Sequence, residues 1–206
     1  GGTKDSVPQT GNLIANGDFS ILEDGQPKGW STGMWVTSAG ASYLEAVTLD
    51  DGTTAALVEN AASNDARFEQ AVAVRENTTY KLTARVMAEG CGEGTKGANV
   101  SFSGIYGTSR DLHDTDGQWE TLTLYGRTGK GQKEVTVMVR LGGYGAENTG
   151  KAWFTDVSLE QVETVPVGEK VLDLATPAPS KKTDTSAPKT AKEMSIPLLI
   201  GAAGIY

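Results

Sequence analysis

Val139 to Leu159 reads VRLGGYGAENTGKAWFTDVSL, two strand-like runs joined by a glycine-rich loop. In the second run, Ala152 to Leu159, side chains alternate. Trp153, Thr155, Val157 and Leu159 fall on one face; Phe154, Asp156 and Ser158 fall on the other. Just upstream, Val135, Val137, Val139 and Leu141 form an apolar stripe with the same period of two. The loop between offers Tyr144 and Asn148. An aromatic-rich closing strand after such a loop predicts a sandwich with a site at its rim.

Working outward, the same period recurs. Phe68, Gln70, Val72 and Val74 share a face opposite Arg67, Glu69, Ala71 and Ala73; Tyr80, Leu82, Ala84 and Val86 share another. Asn12 to Phe19 is expected to open with a short apolar strand and turn at Asn16-Gly17-Asp18; further strands are expected on either side of Ser38-Ala39-Gly40, at Ala55 to Glu59, around Phe102 and Tyr106, and after Trp119. Asp24-Gly25, Asp50-Asp51-Gly52, Glu76 to Thr78 and Asp111 to Gly117 read as turns, and Asn60 to Asp65 as a polar loop. No segment sustains a helical period. The pattern predicts an all-β fold, an antiparallel two-sheet β-sandwich, spanning residues 12–162. Trp30, Trp119 and Trp153 are expected in its core.

The ends differ in composition. Residues 1–11 are polar and aperiodic, a linker. Residues 163–194 open with some apolar positions up to Leu174, an extra strand or extended arm, and then become rich in Pro, Thr, Ser and Lys. Such a segment cannot bury a core and reads as an extended linker. Residues 195–206, SIPLLIGAAGIY, are apolar but shorter than the ~20 residues of a membrane helix, and read as the start of a truncated one.

A net charge of −8 argues against nucleic acid, whose phosphates need clustered Lys and Arg. Cys91 is the one cysteine, so no internal disulfide is possible; His113 is the one histidine, which excludes a histidine-rich zinc site. Nucleophile motifs of the Gly-x-Ser-x-Gly type and phosphate-binding glycine loops are absent. Most acids stand in turns and not as a pair across a cleft, so glycoside hydrolysis is not expected.

Four stretches in order, NLIANGDFS with GQPKGW, RFEQAVAVRENTTYKLTARVMAE, DTDGQWETLTLYG and GKAWFTDVSLEQV, resemble carbohydrate-binding modules of the family 4/9/22-like group. These are galactose-binding-domain-like jelly rolls. MWVTSAGASYLEA, ENAASNDARFEQ and RLGGYGAENTGKAWF further resemble extracytoplasmic domains of bacterial membrane glycosyltransferases of the protein-mannosyltransferase type. The resemblance implies an extracellular or cell-surface module anchored to a membrane, with a structural calcium where the first and last strands meet. Ser20 stands where the family usually has Glu, and Thr155-Asp156 where it has paired acids. Asp18, Ser20 and Asp156, with carbonyls of the Asp50 to Thr53 turn, are the remaining calcium ligands.

Sugar binding combines aromatic faces with polar groups that reach hydroxyls. Trp35, Tyr43, Tyr106 and Tyr144 are the candidate platforms; Asn60, Arg67, Glu69 and Asn148 are the candidate polar partners. Non-catalytic glycan binding is the expected function. A protein-interaction or structural domain of a membrane complex, with no sugar ligand, is the alternative.

Overall fold

The structure is a computed structural model and describes residues 9–175. The expected linker over 176–194 and membrane segment over 195–206 lie outside the described residues. Twelve strands form three sheets. A small hairpin pairs β1 (Leu22–Glu23) with β2 (Gln26–Pro27). A four-stranded antiparallel sheet runs β3 (Ser31–Met34), β6 (Ala66–Ala73), β10 (Glu134–Leu141), β8 (Ala98–Phe102). The third sheet has six strands: β12 (Val171–Asp173), β9 (Glu120–Arg127), β7 (Thr79–Glu89), β11 (Asn148–Gln161), β5 (Thr54–Asn64) and β4 (Ser42–Thr48).

The period-two stripes are what drive these two layers together. Phe68, Val100, Val137 and Val139 from one sheet meet Val58, Leu82, Val86 and Phe154 from the other in a single apolar cluster. The chain changes sheets between β5 and β6, which only Asp65 separates. This is the jelly-roll β-sandwich that the sequence pattern predicts.

Five expectations are corrected. The segment Asn12 to Phe19 is not a strand. It follows β11 through two backbone bonds, Leu13 N to the Leu159 carbonyl (2.9 Å) and Val157 N to the Gly17 carbonyl (3.0 Å), and through Asn12, whose Nδ2 donates to the Val157 carbonyl (3.1 Å) and whose Oδ1 accepts from Leu159 N (3.0 Å). Asn16 and Phe19 adopt positive φ (54° and 59°), which breaks a ladder. Gly17 is needed there, because a Cβ would stand 2.3 Å from the Val157 carbonyl oxygen.

The second correction concerns β11. Its pairing with β7 shifts between Thr155 and Ser158, where Asp156 takes φ 51°. This bulge exchanges the two faces of the strand. Ala152 and Phe154 therefore face the core together with Val157 and Leu159, and Trp153 faces outward beside Leu57 and Met87. Trp119 is likewise partly exposed, with the Arg85 guanidinium 5.1 Å over its ring. Of the three tryptophans expected inside, Trp30 is the buried one, tilted on Phe19 at 4.7 Å.

Third, Asn60 to Asn64 continues β5 instead of forming a loop. Fourth, the boundary at Val162 is too early: the extra strand expected before Leu174 is β12, which pairs with β9 in parallel and belongs to the folded unit, with Leu172 and Leu174 buried. Fifth, Gln9, expected in the N-terminal linker, binds the Ala73 carbonyl and the Tyr80 hydroxyl. No helix among the described residues is long and apolar enough to cross a membrane.

Two buried acids make the fold sensitive to alkali. Burial pushes the Cys91 thiol up to about 11 from 9.0, and burial also raises the Tyr80 phenol above its ordinary 10.0. The folded chain keeps protons that the unfolded chain releases, so stability should be fully present at neutral pH and fall as pH rises past about 9. Thermal unfolding followed by circular dichroism across alkaline pH should show Tm declining in that range; a rising Tm would contradict the assignment.

Candidate binding face

The outward side of the four-stranded sheet is where charge and aromatic surface meet. Alternation that points Ala66, Phe68, Val137, Val139 and Leu141 inward sends Arg67, Glu69, Met138 and Arg140 outward. Cross-strand register then aligns Gly33, Arg67, Arg140 and Asn99 in one row, and Ser31, Glu69, Met138 and Ser101 in the next. An outward-facing row would ordinarily be solvated. Here Arg67, Asn99, Ser101 and Arg140 are all buried, Arg140 with 2% exposure.

Each cation has an acid. Arg140 Nε and Nη2 reach Asp65 Oδ1 (3.2 Å) and Oδ2 (2.5 Å), a two-pronged pair anchored on the corner where the chain changes sheets. Arg67 Nε lies 3.6 Å from Glu69 Oε1. At the rim, Lys96 Nζ pairs with Asp111 Oδ2 (3.0 Å) and donates to Thr108 Oγ1 (2.5 Å). Asp111 Oδ1 also accepts from Gly97 N (3.0 Å), which holds the loop that carries Lys96. Gly33 makes room for Arg67: a Cβ there would meet the guanidinium Nη2 at 2.8 Å.

Tyr144 tops a tight turn in which Gly143 and Ala146 exchange backbone hydrogen bonds. Its ring lies 5.3 Å from the Arg140 guanidinium, and its hydroxyl accepts from Gly104 N (3.0 Å). That second bond secures the loop bearing Tyr106, whose ring meets Tyr144 edge-on at 5.7 Å and 86°. Tyr144 is thus mainly the support, and Tyr106, 58% exposed, is the presented ring. On the opposite flank Trp35, 37% exposed, continues β3; its N–H donates to the Asp65 carbonyl (2.9 Å).

The fold therefore brings Trp35, Arg67, Glu69, Tyr106 and Tyr144 to one face. The other three candidate ligand residues are elsewhere. Tyr43, 50% exposed, pairs across β4 with Glu59 on the outer side of the six-stranded sheet. Asn60 is buried, and its Nδ2 donates to the Asn64, Leu141 and Asn148 carbonyls. Asn148 is buried too, closing the 92–96 loop through Gly92 N, the Gly92 carbonyl and the Lys96 carbonyl. Asn60 Oδ1 accepts from the Ser42 hydroxyl (2.7 Å), so both asparagines are committed to internal hydrogen bonds. Asp65, Lys96, Asp111 and Arg140 were not anticipated. Arg140 had a visible signal: a lone cation in the apolar run VTVMVRL, at the phase of the outward positions. A shallow cleft of about 200 Å³ lies among Phe102, Ile105, Gln132, Glu134 and Leu174, but its Phe102 ring is buried and gives no platform.

The donor set expected for calcium does not fit the ion. Asp18 Oδ1 accepts from Ser20 N (3.1 Å), while the Asp18 carbonyl accepts from the Thr54 hydroxyl (2.7 Å). The Thr54 carbonyl in turn accepts from the Thr155 hydroxyl (2.8 Å). Asp156 pairs with Arg85 at 3.2 Å. In the Asp50 to Thr53 turn the Thr53 carbonyl accepts from Leu49 N, and Asp51 accepts from Thr53 N, which lowers its carboxyl below the ordinary value. Calcium needs six to eight oxygens with several charges among them. Among the described residues, no three His, Cys, Asp or Glu side chains stand together as ligands.

No protein-family model matches the chain, and no curated protein matches it. Solved structures do. The enzymatically active domain of tailspike protein 4 from bacteriophage CBA120 is 11% identical with a TM-score of 0.52, over 73% of this chain and 21% of that one. This chain thus spans about a fifth of the tailspike's length. A putative sugar-binding protein from Bacteroides thetaiotaomicron is 15% identical with a TM-score of 0.51, over 73% of this chain and all of that one. TmCBM61, solved with β-1,4-galactotriose, is 16% identical with a TM-score of 0.49, over 73% and 99%. At these identities the likeness is one of fold: a jelly-roll β-sandwich.

Two expected outcomes follow from the geometry. Arg140→Met leaves Asp65 as an uncompensated buried charge and should cost about 3–5 kcal/mol in urea unfolding; a cost near zero would mean that the pair is solvated. Excess chelator should leave the Tm unchanged, and a clear drop restored by calcium would reinstate the metal.

Proposed function

We propose that this chain is a non-catalytic carbohydrate-binding module. Its main support is the outer face of the four-stranded sheet, where a presented ring, Tyr106, borders a buried row of hydrogen-bonding ions. A pyranose ring has an apolar C–H surface and a rim of hydroxyls. The first matches an aromatic face, and the second matches fixed donors and acceptors around it. The fold shared with a putative sugar-binding protein agrees with this assignment. Arg67, Arg140, Glu69 and Asp65 are held before a ligand arrives, so little side-chain freedom is lost on binding.

In this proposal the module is extracytoplasmic, at a bacterial cell surface, and joined to a membrane protein of the protein-mannosyltransferase type. The sequence of residues 163–206 motivates that part: a Pro/Thr/Lys-rich segment followed by an apolar run. Holding a glycan beside the membrane enzyme raises its local concentration without any chemistry in the module.

The test is a broad glycan array, followed by titration calorimetry on any hit. Tyr106→Ala and Arg67→Ala should each weaken binding by about tenfold or more, roughly 1.4 kcal/mol, with the fold intact. A blank array from well-folded protein would move the assignment to a protein-interaction domain.

A further inference from the structure

We infer that β4 is an interaction edge whose partner is β4 of a second copy of this chain, added antiparallel so that two six-stranded sheets become one. The two large sheets end in four strands with one side unpaired, and such edges invite another chain. Three of the four are short or capped. β12 has three residues and β3 has four. β8 is capped by the segment 109–112: Ala98 and Leu112 exchange backbone hydrogen bonds (2.8 and 2.9 Å), and Ser109 N donates to the Val100 carbonyl (3.0 Å). β4 differs. It runs seven residues in unbroken register with β5 and contains no proline, lysine or arginine; among the described residues no strand pairs with its other side.

Backbone parity shows what that side offers. Leu49 N donates to the Thr53 carbonyl (2.8 Å) and Ala61 N to the Ala41 carbonyl (2.9 Å), so the odd-numbered residues of β4 bond to β5. The N–H and C=O groups of Ser42, Leu44, Ala46 and Thr48 therefore point away from the sheet. Beside this edge the β1–β2 hairpin packs on β4 without joining its ladder, and it exposes Ile21 (54%) and Leu22 (53%). Tyr43, on β4 itself, is 50% exposed. Exposed apolar side chains next to an open ladder suit a protein partner that adds a strand.

The sequence of β4 complements itself. In an antiparallel pair centred on Leu44, that residue meets Leu44 of the second copy and Ser42 meets Ala46 of the second copy, all through their free backbone groups. Leu44 already packs against the core, so the pair extends the apolar layer across the join. Tyr43 then stands opposite Glu45 of the second copy, twice by symmetry, and the phenol donates to the carboxylate. No charge faces its like. Centring on Glu45 would set the two carboxylates against each other, and centring on Ala46 would leave Glu45 opposite Val47, which has no donor to offer. Because each copy uses up the same edge, the assembly closes as a two-fold dimer and does not grow. It carries two copies of the face proposed for glycan, so a polymer could be held at two points.

Sedimentation velocity of the chain at physiological salt, from micromolar to hundreds of micromolar, should show a reversible monomer–dimer equilibrium. A monomer throughout would overturn the inference. Ala46→Pro removes an outward N–H and leaves the bonds to β5 in place. It should raise the dimer dissociation constant at least about tenfold, because two symmetric hydrogen bonds are lost together. Unchanged dimerisation in a variant that near-ultraviolet circular dichroism shows to be folded would put the contact elsewhere and refute the proposal. A register test uses exposed positions and spares the fold. Tyr43 and Glu45 of the second copy form a non-hydrogen-bonded pair with Cα atoms about 4.5 Å apart, within reach of a disulfide. Oxidation of an equimolar mixture of Tyr43→Cys and Glu45→Cys should give covalent dimer in several-fold excess over either variant alone; Cys91 is buried in every sample. Equal cross-linking in the mixture and in the separate variants would contradict the pairing.

Discussion

The pair between Asp65 and Arg140 is the constraint that organises this molecule. A two-sheet sandwich must carry its chain from one layer to the other, and here the transfer occupies a single residue between β5 and β6. Backbone polar groups at such a corner lose their ladder partners and must be satisfied otherwise. Asn64 does part of this, accepting from Val36 N (2.7 Å) and Asp65 N (2.9 Å) and donating to the Val36 carbonyl (2.9 Å). The Asp65 carbonyl accepts from Trp35 N (2.9 Å), and the Asp65 carboxylate grips Arg140 on the central strand β10. A buried ion pair adds little net stability compared with apolar packing, but it is costly to break once made. The corner is therefore held in one geometry, and Trp35, bonded to the Asp65 carbonyl, is held with it.

The two outer faces of the sandwich contrast in a way that points to where function lies. The outer side of the six-stranded sheet carries long polar residues such as Lys81, Arg85 and Glu89 around the partly buried Leu57, Met87 and Trp153. It resembles an ordinary solvated sheet with its side chains folded down on one another. The outer side of the four-stranded sheet instead buries charge. Burying charge opposes folding unless it is compensated, and here Arg140 is paired with Asp65 and Arg67 stands beside Glu69. In the function proposed above, this face with its projecting Tyr106 is the one that meets the ligand.

The join between the N-terminal segment and β11 shows the same economy of polar groups. The Thr54 hydroxyl donates to the Asp18 carbonyl, the Thr155 hydroxyl donates to the Thr54 carbonyl, and Arg85 lies against Asp156. The cross-link is made by neutral hydrogen bonds. Its exposed ion pair adds only about 0.2–1 kcal/mol.

Period-two alternation, turn residues at the strand ends and the absence of a helical period were enough to determine an antiparallel sandwich from the chain alone. Alternation is local, and burial of one strand face follows directly from it. The same rule placed Arg67 and Glu69 together on an outward face. What it could not place were features set by non-local geometry. The bulge at Asp156 costs one residue of register and turns Trp153 out of the core, yet no neighbouring residue announces it. Asn60 and Asn148 look like surface groups until the carbonyls that surround them are known. Arg140 acquires its role only when Asp65, 75 positions away, arrives at a shared corner. Strand identity is dictated by the order of side chains along the backbone, whereas charge cancellation is dictated by which strands meet, and only the tertiary structure decides that.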